Sequence, residues 1–341
     1  MEKHKIGYER LNIQEKKAYE MFEKAFASYA DTVDAGSIDR NVDVMKVLQV
    51  ALGDNPQVFY FNKTQIKLSS VMLGGKKIHF CGTYSSRDIR KMELELEEAI
   101  KEAVDSINML NPISDYDKLM CIYEYLQDHV RYDTKELEAC CRLGKCQNPA
   151  SHTAYGALIR GNAVCDGISS AFALLVRCWG YDCTVVSGTA AFMTEGFSSH
   201  AWNVIRVNDK YYHVDATWDV NHKERFGNYS YEYFCIDDNW INTDHNWEIN
   251  TTPPCVSSDL SFYVRNGCYA NNLTQLDDIF RRYARSKAGV VRVRIADTVA
   301  IPEPNDTYIA QRLLNAGIAM GKCMNIEYAW DKNTRCFYAK F

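Results

Sequence analysis

The stretch Gly161-Asn162-Ala163-Val164-Cys165-Asp166-Gly167-Ile168-Ser169-Ser170 runs into Ala171-Phe172-Ala173-Leu174-Leu175-Val176-Arg177-Cys178-Trp179 and stops at Gly180. The second part is a nearly unbroken apolar run with a glycine where helices commonly end. Cys165 therefore falls at or just before the first turn of a helix. Unpaired N–H groups and the positive end of the helix dipole face that position. Both favour a thiolate, the reactive form of cysteine. The backbone N–H of Cys165 is also placed to receive a developing oxyanion. Ala163 and Gly167 are small enough to let a substrate backbone approach. A free cysteine is more commonly a small buried apolar residue, so this segment needs partners before it means catalysis. None of the other twelve cysteines has a comparable setting.

Partners lie downstream. Ser198-Ser199-His200-Ala201-Trp202-Asn203-Val204-Ile205-Arg206-Val207 reads as one strand and Tyr211-Tyr212-His213-Val214-Asp215-Ala216-Thr217-Trp218 as the next, with turn residues between them. A two-residue turn at Asn208-Asp209 sets Val207 opposite Lys210. Trp202 then opposes Asp215, and His200 is the diagonal neighbour of Asp215. A turn at Val207-Asn208 instead sets His200 directly opposite Asp215. Either even loop puts both side chains on one face; a three-residue loop separates them. The expectation is an even loop, with the pair facing the start of the Cys165 helix.

Cys165, His200 and Asp215 are thus the candidate catalytic residues. The imidazole would take the thiol proton, and the carboxylate would hold its tautomer and its charged form. Singly, His200 reads as an ordinary strand histidine and Asp215 as a rim carboxylate; the combination carries the argument. His213 shares the face but lies on Asp215's own strand, which makes it a poorer partner. His152, His222 and His245 have no strand-paired acid nearby.

Together, Val164-Cys165-Asp166-Gly167, His200-Ala201-Trp202-Asn203 and Val214-Asp215-Ala216-Thr217-Trp218 resemble the transglutaminase-like superfamily, in the form of a bacterial-type member. The order Cys, His, Asp is similar to the family's, as are the separations of 35 and 15 residues. The resemblance spans roughly Pro112 to Trp218. It implies a papain-like α+β fold, with the Cys on a helix and the His and Asp on an antiparallel sheet. It also implies acyl transfer through a thioester. Relatives include protein cross-linkers, peptidases, amidases and members without activity. The family often supplies a second oxyanion donor from an aromatic or amide side chain. Tyr155, ten residues before the Cys, is the candidate here, with a core tyrosine as the plain alternative.

Outside that core the chain divides at Asn111-Pro112 and at Thr251-Thr252-Pro253-Pro254. Residues 1–110 read as an N-terminal α/β region, 111–252 as the catalytic domain and 253–341 as a C-terminal α+β module. Apolar spacing predicts helices over Gln14–Tyr29, Asp39–Leu52, Ser86–Met109 and Ser114–Val130. Val58–Phe61, Gln65–Ser70 and Lys76–Cys81 read as strands, the last two joined at Gly74-Gly75. The C-terminal part predicts strand Ser261–Val264, helix Leu273–Arg285, strand Gly289–Ile295, helix Asp306–Ala316 and a final hairpin around Asp331–Thr334.

With 47% hydrophobic and 24% charged residues, the 341-residue chain has apolar surface for a sizeable core. A net charge of −5 with interleaved acids argues against a nucleic-acid partner. No apolar run has the length of a signal peptide or a membrane span. The expectation is a cytoplasmic protein without membrane association; a secreted chain whose signal had been removed would read the same way. The thirteen scattered cysteines fit reduced thiols better than a disulfide framework. Neither Cys140/Cys141/Cys146 nor Cys178/Cys183 has C-x2-C spacing, so no metal or other cofactor is expected.

The reading is a cysteine peptidase or amidase acting on a protein or peptide substrate. A protein-glutamine transglutaminase, in which an amine resolves the thioester, uses the same residues. A non-catalytic binding scaffold on the same fold is the alternative from another class, and the intact Cys, His and Asp count against it. Oligomeric state is not legible.

Overall fold

The Cys165–Cys178 helix forms because the run is rich in alanine and leucine and carries no proline. Its residues from Gly167 to Ala173, with Leu175 and Val176, are buried. In this computed structural model, which describes residues 5–70, 76–191, 197–286, 288–321 and 325–340, the helix packs on a four-stranded antiparallel sheet. The sheet order is Lys210–Val214, Phe197–Val207, Asp182–Ala191, His245–Trp247. Its two faces bury different things. Cys183, Ile205 and Val207 join the apolar cluster that contains the helix. Val186, Trp202 and Val204 pack with Tyr233, Trp240 and Ile241 on the other side. This alternation is what fixes strand register.

Val207 pairs with Lys210 and Asn203 with Val214. Asn208 and Asp209 form the connecting turn, with φ of 49° and 63°. Positive φ at both central residues is the geometry that matches strand twist in a two-residue hairpin. Of the two even loops, the structure has the one at Asn208-Asp209.

Upstream, the Ile13–Ala27 helix starts in an Asn12/Glu15 capping box. The next helix is Val44–Asp54, shorter than the predicted Asp39 start, because the Asp43 carboxylate caps it by accepting from Met45 and Lys46 N–H. Lys67–Ser70 pairs antiparallel with Lys76–His79 as predicted; the Gly74-Gly75 turn lies outside the described residues. Val58–Phe61 is not a ladder strand. All four residues are buried, and the segment makes one isolated bridge, Phe61 with Gly82. Complete burial of an apolar run cannot by itself distinguish a strand from a core loop. One apolar cluster runs from Leu11 to Cys235, so these elements share a core with the Cys165 helix.

The C-terminal part has its own apolar cluster. Four strands in the order Tyr269–Ala270, Val290–Ile295, Cys336–Lys340, Glu327–Asp331 carry the Leu273–Arg285 and Asn305–Ile318 helices. Ser261–Val264 is a correction: Phe262–Arg265 is a helical turn, because the Ser261 hydroxyl accepts from the Val264 N–H. Arg292 donates to the Tyr229 carbonyl, and Arg294 lies 3.8 Å over the Trp240 ring. These contacts hold this part against the rest. No helix among the described residues is long and apolar enough to cross a membrane.

Candidate active site

Cys165 is the first residue of its helix, after Val164 in extended conformation, and no side chain caps this terminus. Its N–H has no partner among the described residues. Cys165 is half-exposed, whereas Cys146, Cys183, Cys235, Cys255, Cys268 and Cys336 are buried. Gly167 has a local reason. A Cβ there would lie 2.4 Å from the Ser151 carbonyl oxygen, so only glycine lets the loop cross the first turn. One turn on, the Ser169 hydroxyl donates to the Ala201 carbonyl at 3.0 Å. The Asn203 amide in turn donates to the Ser169 carbonyl at 2.9 Å. Two bonds around one serine thus fix the helix against the strand that carries His200.

His200 Nε2 lies 2.7 Å from Asp215 Oδ2, and the Cys165 thiol lies close enough to the ring to influence its protonation. Burial opposes a charged imidazole, but the Asp215 charge and hydrogen bond, reinforced by Cys165, outweigh it. Its pKa is raised to about 9. Burial likewise opposes the Asp215 carboxylate, which His200 and then His245 hold well below the usual range. Asp215 itself is fully buried. It does not belong to a strand. The ladder ends at Val214, and Asp215 caps the Ala216–Phe226 helix by accepting from the Thr217 N–H at 2.8 Å. One carboxylate oxygen orients the imidazole and the other is fixed by the helix terminus. The strand reading placed the residue correctly on the histidine's side but missed this second anchor.

His245 was passed over for want of a strand-paired acid, yet it lies between two carboxylates. Its Nε2 is 3.2 Å from Asp215 Oδ2 and its Nδ1 is 2.5 Å from Asp244 Oδ1. Burial opposes its charge, the hydrogen bonds it gives to Asp215 and Asp244 outweigh this, and its pKa is raised to about 9. Asp244, His245, Asp215 and His200 form one continuous row of alternating acids and bases that ends beside Cys165. The adjacency Asp244-His245 was the available signal, but the pairing of His245–Trp247 with Asp182–Ala191 is a non-local contact. His213 has other partners. It shares the face of Trp202, as expected, but accepts from the Trp202 indole N–H at 3.0 Å and lies 2.9 Å from Asp238, so both ring nitrogens are engaged away from Asp215.

Tyr155 is buried, and its hydroxyl donates to Glu95 at 2.5 Å while its ring lies 5.8 Å from that of Phe59. None of its contacts among the described residues involves Cys165, His200 or Asp215. A different tyrosine lies on the strand beside the residues that lead to the nucleophile. Tyr132 follows the Asp115–His129 helix in a two-residue strand whose partner is Asn162-Ala163. That pairing runs the Tyr132 strand beside the residues that lead into Cys165. Burial, then the charges of Cys165, Asp166 and Asp215, push its phenol pKa up. The hydroxyl stays protonated and makes no hydrogen bond to a described residue.

Three groups of His, Cys and carboxylate side chains among the described residues are close enough to hold a metal ion. His200, Asp215 and His245 are already explained by their mutual hydrogen bonds, as is His213 with Asp238. The third group is Glu136, Cys140, Cys146 and His152.

Residues 106–216 match the family model described as the transglutaminase-like superfamily. Among solved structures, the chain is similar to a transglutaminase ("TGase") at 18% identity, with a TM-score of 0.32, covering 45% of this chain and 43% of that one. It is similar to a candidate cysteine protease from Cytophaga hutchinsonii at 14% identity, with a TM-score of 0.28, covering 45% of this chain and 61% of that one. The chain thus spans less than two thirds of either. No curated protein matches it.

Proposed function

We propose that the chain, whose residues 106–216 match the transglutaminase-like superfamily model, is a thiol acyl-transfer enzyme hydrolysing a peptide or amide bond. Cys165 is the nucleophile, His200 the general base and acid, and Asp215 the orienting carboxylate. The observation that carries this reading is the 2.7 Å His200–Asp215 pair in reach of a half-exposed cysteine at an uncapped helix start.

The chemistry follows from the contacts. His200 uses Nε2 on Asp215, which leaves Nδ1 for the sulfur. The Cys165 thiolate attacks the carbonyl carbon, and negative charge gathers on the carbonyl oxygen. The Cys165 N–H and the Tyr132 phenol are the donors that would receive it. The charged His200 ring gives its proton to the leaving amine, and the C–N bond breaks to leave a thioester. His200, now neutral, takes a proton from water, which attacks the thioester. The acid departs and the thiolate is restored.

Labelling with an electrophilic thiol probe at neutral pH, followed by peptide mapping, tests the assignment. Label should concentrate on Cys165 and be lost from that peptide in Cys165→Ala. Full turnover in Cys165→Ala, or preferred labelling of Cys141, would remove the mechanism. Incubating the acyl-enzyme with a primary amine separates hydrolysis from transamidation: the free acid is expected, and amide as the main product would make the chain a transglutaminase.

A further inference from the structure

The segment between Tyr132 and Cys165 brings together four side chains that the mechanism does not use. Glu136 and Cys140 lie one turn apart on the Thr134–Leu143 helix. Cys146 and His152 come from the loop and short helical turn that follow. Their ligand atoms all lie within 4.8 Å of one another. Cys140 Sγ is 3.2 Å from Glu136 Oε1 and 3.8 Å from His152 Nε2, which is itself 3.4 Å from Glu136 Oε1.

We propose that Glu136, Cys140, Cys146 and His152 bind a zinc ion. Zinc takes four nitrogen, sulfur and oxygen ligands in a tetrahedron with bonds of roughly 2.0–2.3 Å. Such a tetrahedron has edges of roughly 3.3–3.8 Å between ligand atoms, close to the three separations found here. Two thiolates, an imidazole and a carboxylate select zinc over calcium or magnesium, which prefer oxygen alone.

The surroundings are arranged for a cation. Glu136 is only 3% exposed. It accepts from the Cys140 thiol and from the Gln147 and Asn148 N–H groups. No Lys or Arg among the described residues pairs with it. The His152 ring, 3.4 Å away, is its ionic partner, and the two thiols are aimed at the same point. His152 turns its other nitrogen, Nδ1, to the Asp166 carboxylate at 3.0 Å. This is the outer-shell partner that fixes the ring of a metal-bound histidine. Zinc would release the protons of both thiols on binding.

The sequence spacing concealed this site. Gaps of five residues between Cys140, Cys146 and His152 match no C-x2-C pattern. The loop closes only because Asp133 receives the Ser151 hydroxyl at 2.6 Å and the Glu136 N–H at 3.1 Å. The placement also gives the ion a task. Asp166 follows the nucleophile, and the Val164 N–H donates to the Ser151 carbonyl at 2.9 Å. The metal loop is therefore one wall of the Cys165 helix start, and the ion acts as a positioning element for it.

Cobalt reports on such a site directly. The full chain, stripped with a chelator and titrated with Co²⁺, should bind one ion. It should show the ultraviolet sulfur-to-cobalt charge-transfer band and the visible bands of a tetrahedral centre. Zinc should displace the cobalt, raise the melting temperature and protect Cys140 and Cys146 from alkylation, mapped peptide by peptide on the unmutated protein. Cys140→Ser with Cys146→Ser should lose the spectrum, and Cys165→Ala should keep it. Absence of the thiolate band from the unmutated protein, or equal alkylation of Cys140 and Cys146 with and without zinc, would overturn the site. Those readouts are independent of turnover, so they separate this proposal from the acyl-transfer reading.

Discussion

The His245 imidazole stands 3.2 Å from the Asp215 carboxylate, and neither residue has any solvent exposure. Asp215 therefore serves two histidines from one oxygen, and Asp244 holds the outer one in place. His245→Leu would leave Asp215 and Asp244 each short of a donor in a dry layer. A hydrogen bond to a charged group contributes about 1.5–3 kcal/mol, so denaturant unfolding should show a loss of that order. His245→Gln keeps one donor and should recover part of it. Cys165 labelling should slow in His245→Leu, since a loosened Asp215 orients His200 less well. An unchanged labelling rate would mean that His245 serves the fold alone.

The same layer predicts how stability depends on pH. His200 and His245 each have a folded pKa raised from 6.5 to about 9. A folded value above the unfolded one means the group's contribution is complete below about pH 6.5 and is lost as pH rises through about 9. Asp215 is the other side of the same pairs. Its lowered pKa preserves its contribution above the ordinary carboxylate range, and the loss comes only in strong acid. Melting temperature should thus fall from neutral pH toward pH 9.5. His200→Asn with His245→Asn should flatten that slope. A parallel slope in the variant would locate the titration elsewhere.

Ser169 and Asn203 make a second testable joint. Asn203 is fully buried and donates to the Ser169 and Thr184 carbonyls at 2.9 and 3.3 Å. Asn203→Leu removes the donor and leaves both carbonyls short of one, at a cost of about 1–3 kcal/mol for each buried group left unsatisfied. The helix start would then no longer be locked to the His200 strand. Cys165 labelling should slow more than the stability loss alone explains, and labelling of the remote Cys178 should not change. Equal slowing at both cysteines would mean general unfolding.

How much of this was legible in the sequence depends on how local each feature is. The turn at Asn208-Asp209 is written in two residues that tolerate positive φ, so the hairpin and the nearness of His200 to Asp215 could be read. The Cys165 helix was equally plain from its apolar run and Gly180. Val58–Phe61 and Ser261–Val264 were misread because short apolar runs do not state whether a ladder partner exists. His245 reaches Asp215 only through a sheet contact 30 residues away. The Glu136–His152 cluster needs a loop closed by Asp133, and no spacing rule describes that closure. Periodicity marks elements, and long-range pairing assembles the layers around a site.

Tyr132 and Tyr155 show the same limit, and together they give the last prediction. Sequence distance favoured Tyr155 as the second oxyanion donor, but its hydroxyl is bonded to Glu95. Tyr132 is a longer way upstream, yet strand pairing with Asn162-Ala163 brings it alongside the nucleophile, within electrostatic reach of Cys165. Tyr132→Phe keeps the ring and removes the donor. Losing one oxyanion donor lowers turnover by roughly 10²–10³, because the donor bonds the transition state more strongly than the ground state. Release of p-nitrophenol from p-nitrophenyl acetate should fall by about that factor in Tyr132→Phe. Alkylation of Cys165 by iodoacetamide, which forms no oxyanion, should be nearly unchanged. Tyr155→Phe should leave both rates alone and cost about 1 kcal/mol of stability for the lost bond to Glu95. The opposite pattern, with ester turnover lost in Tyr155→Phe and kept in Tyr132→Phe, would return the role to Tyr155.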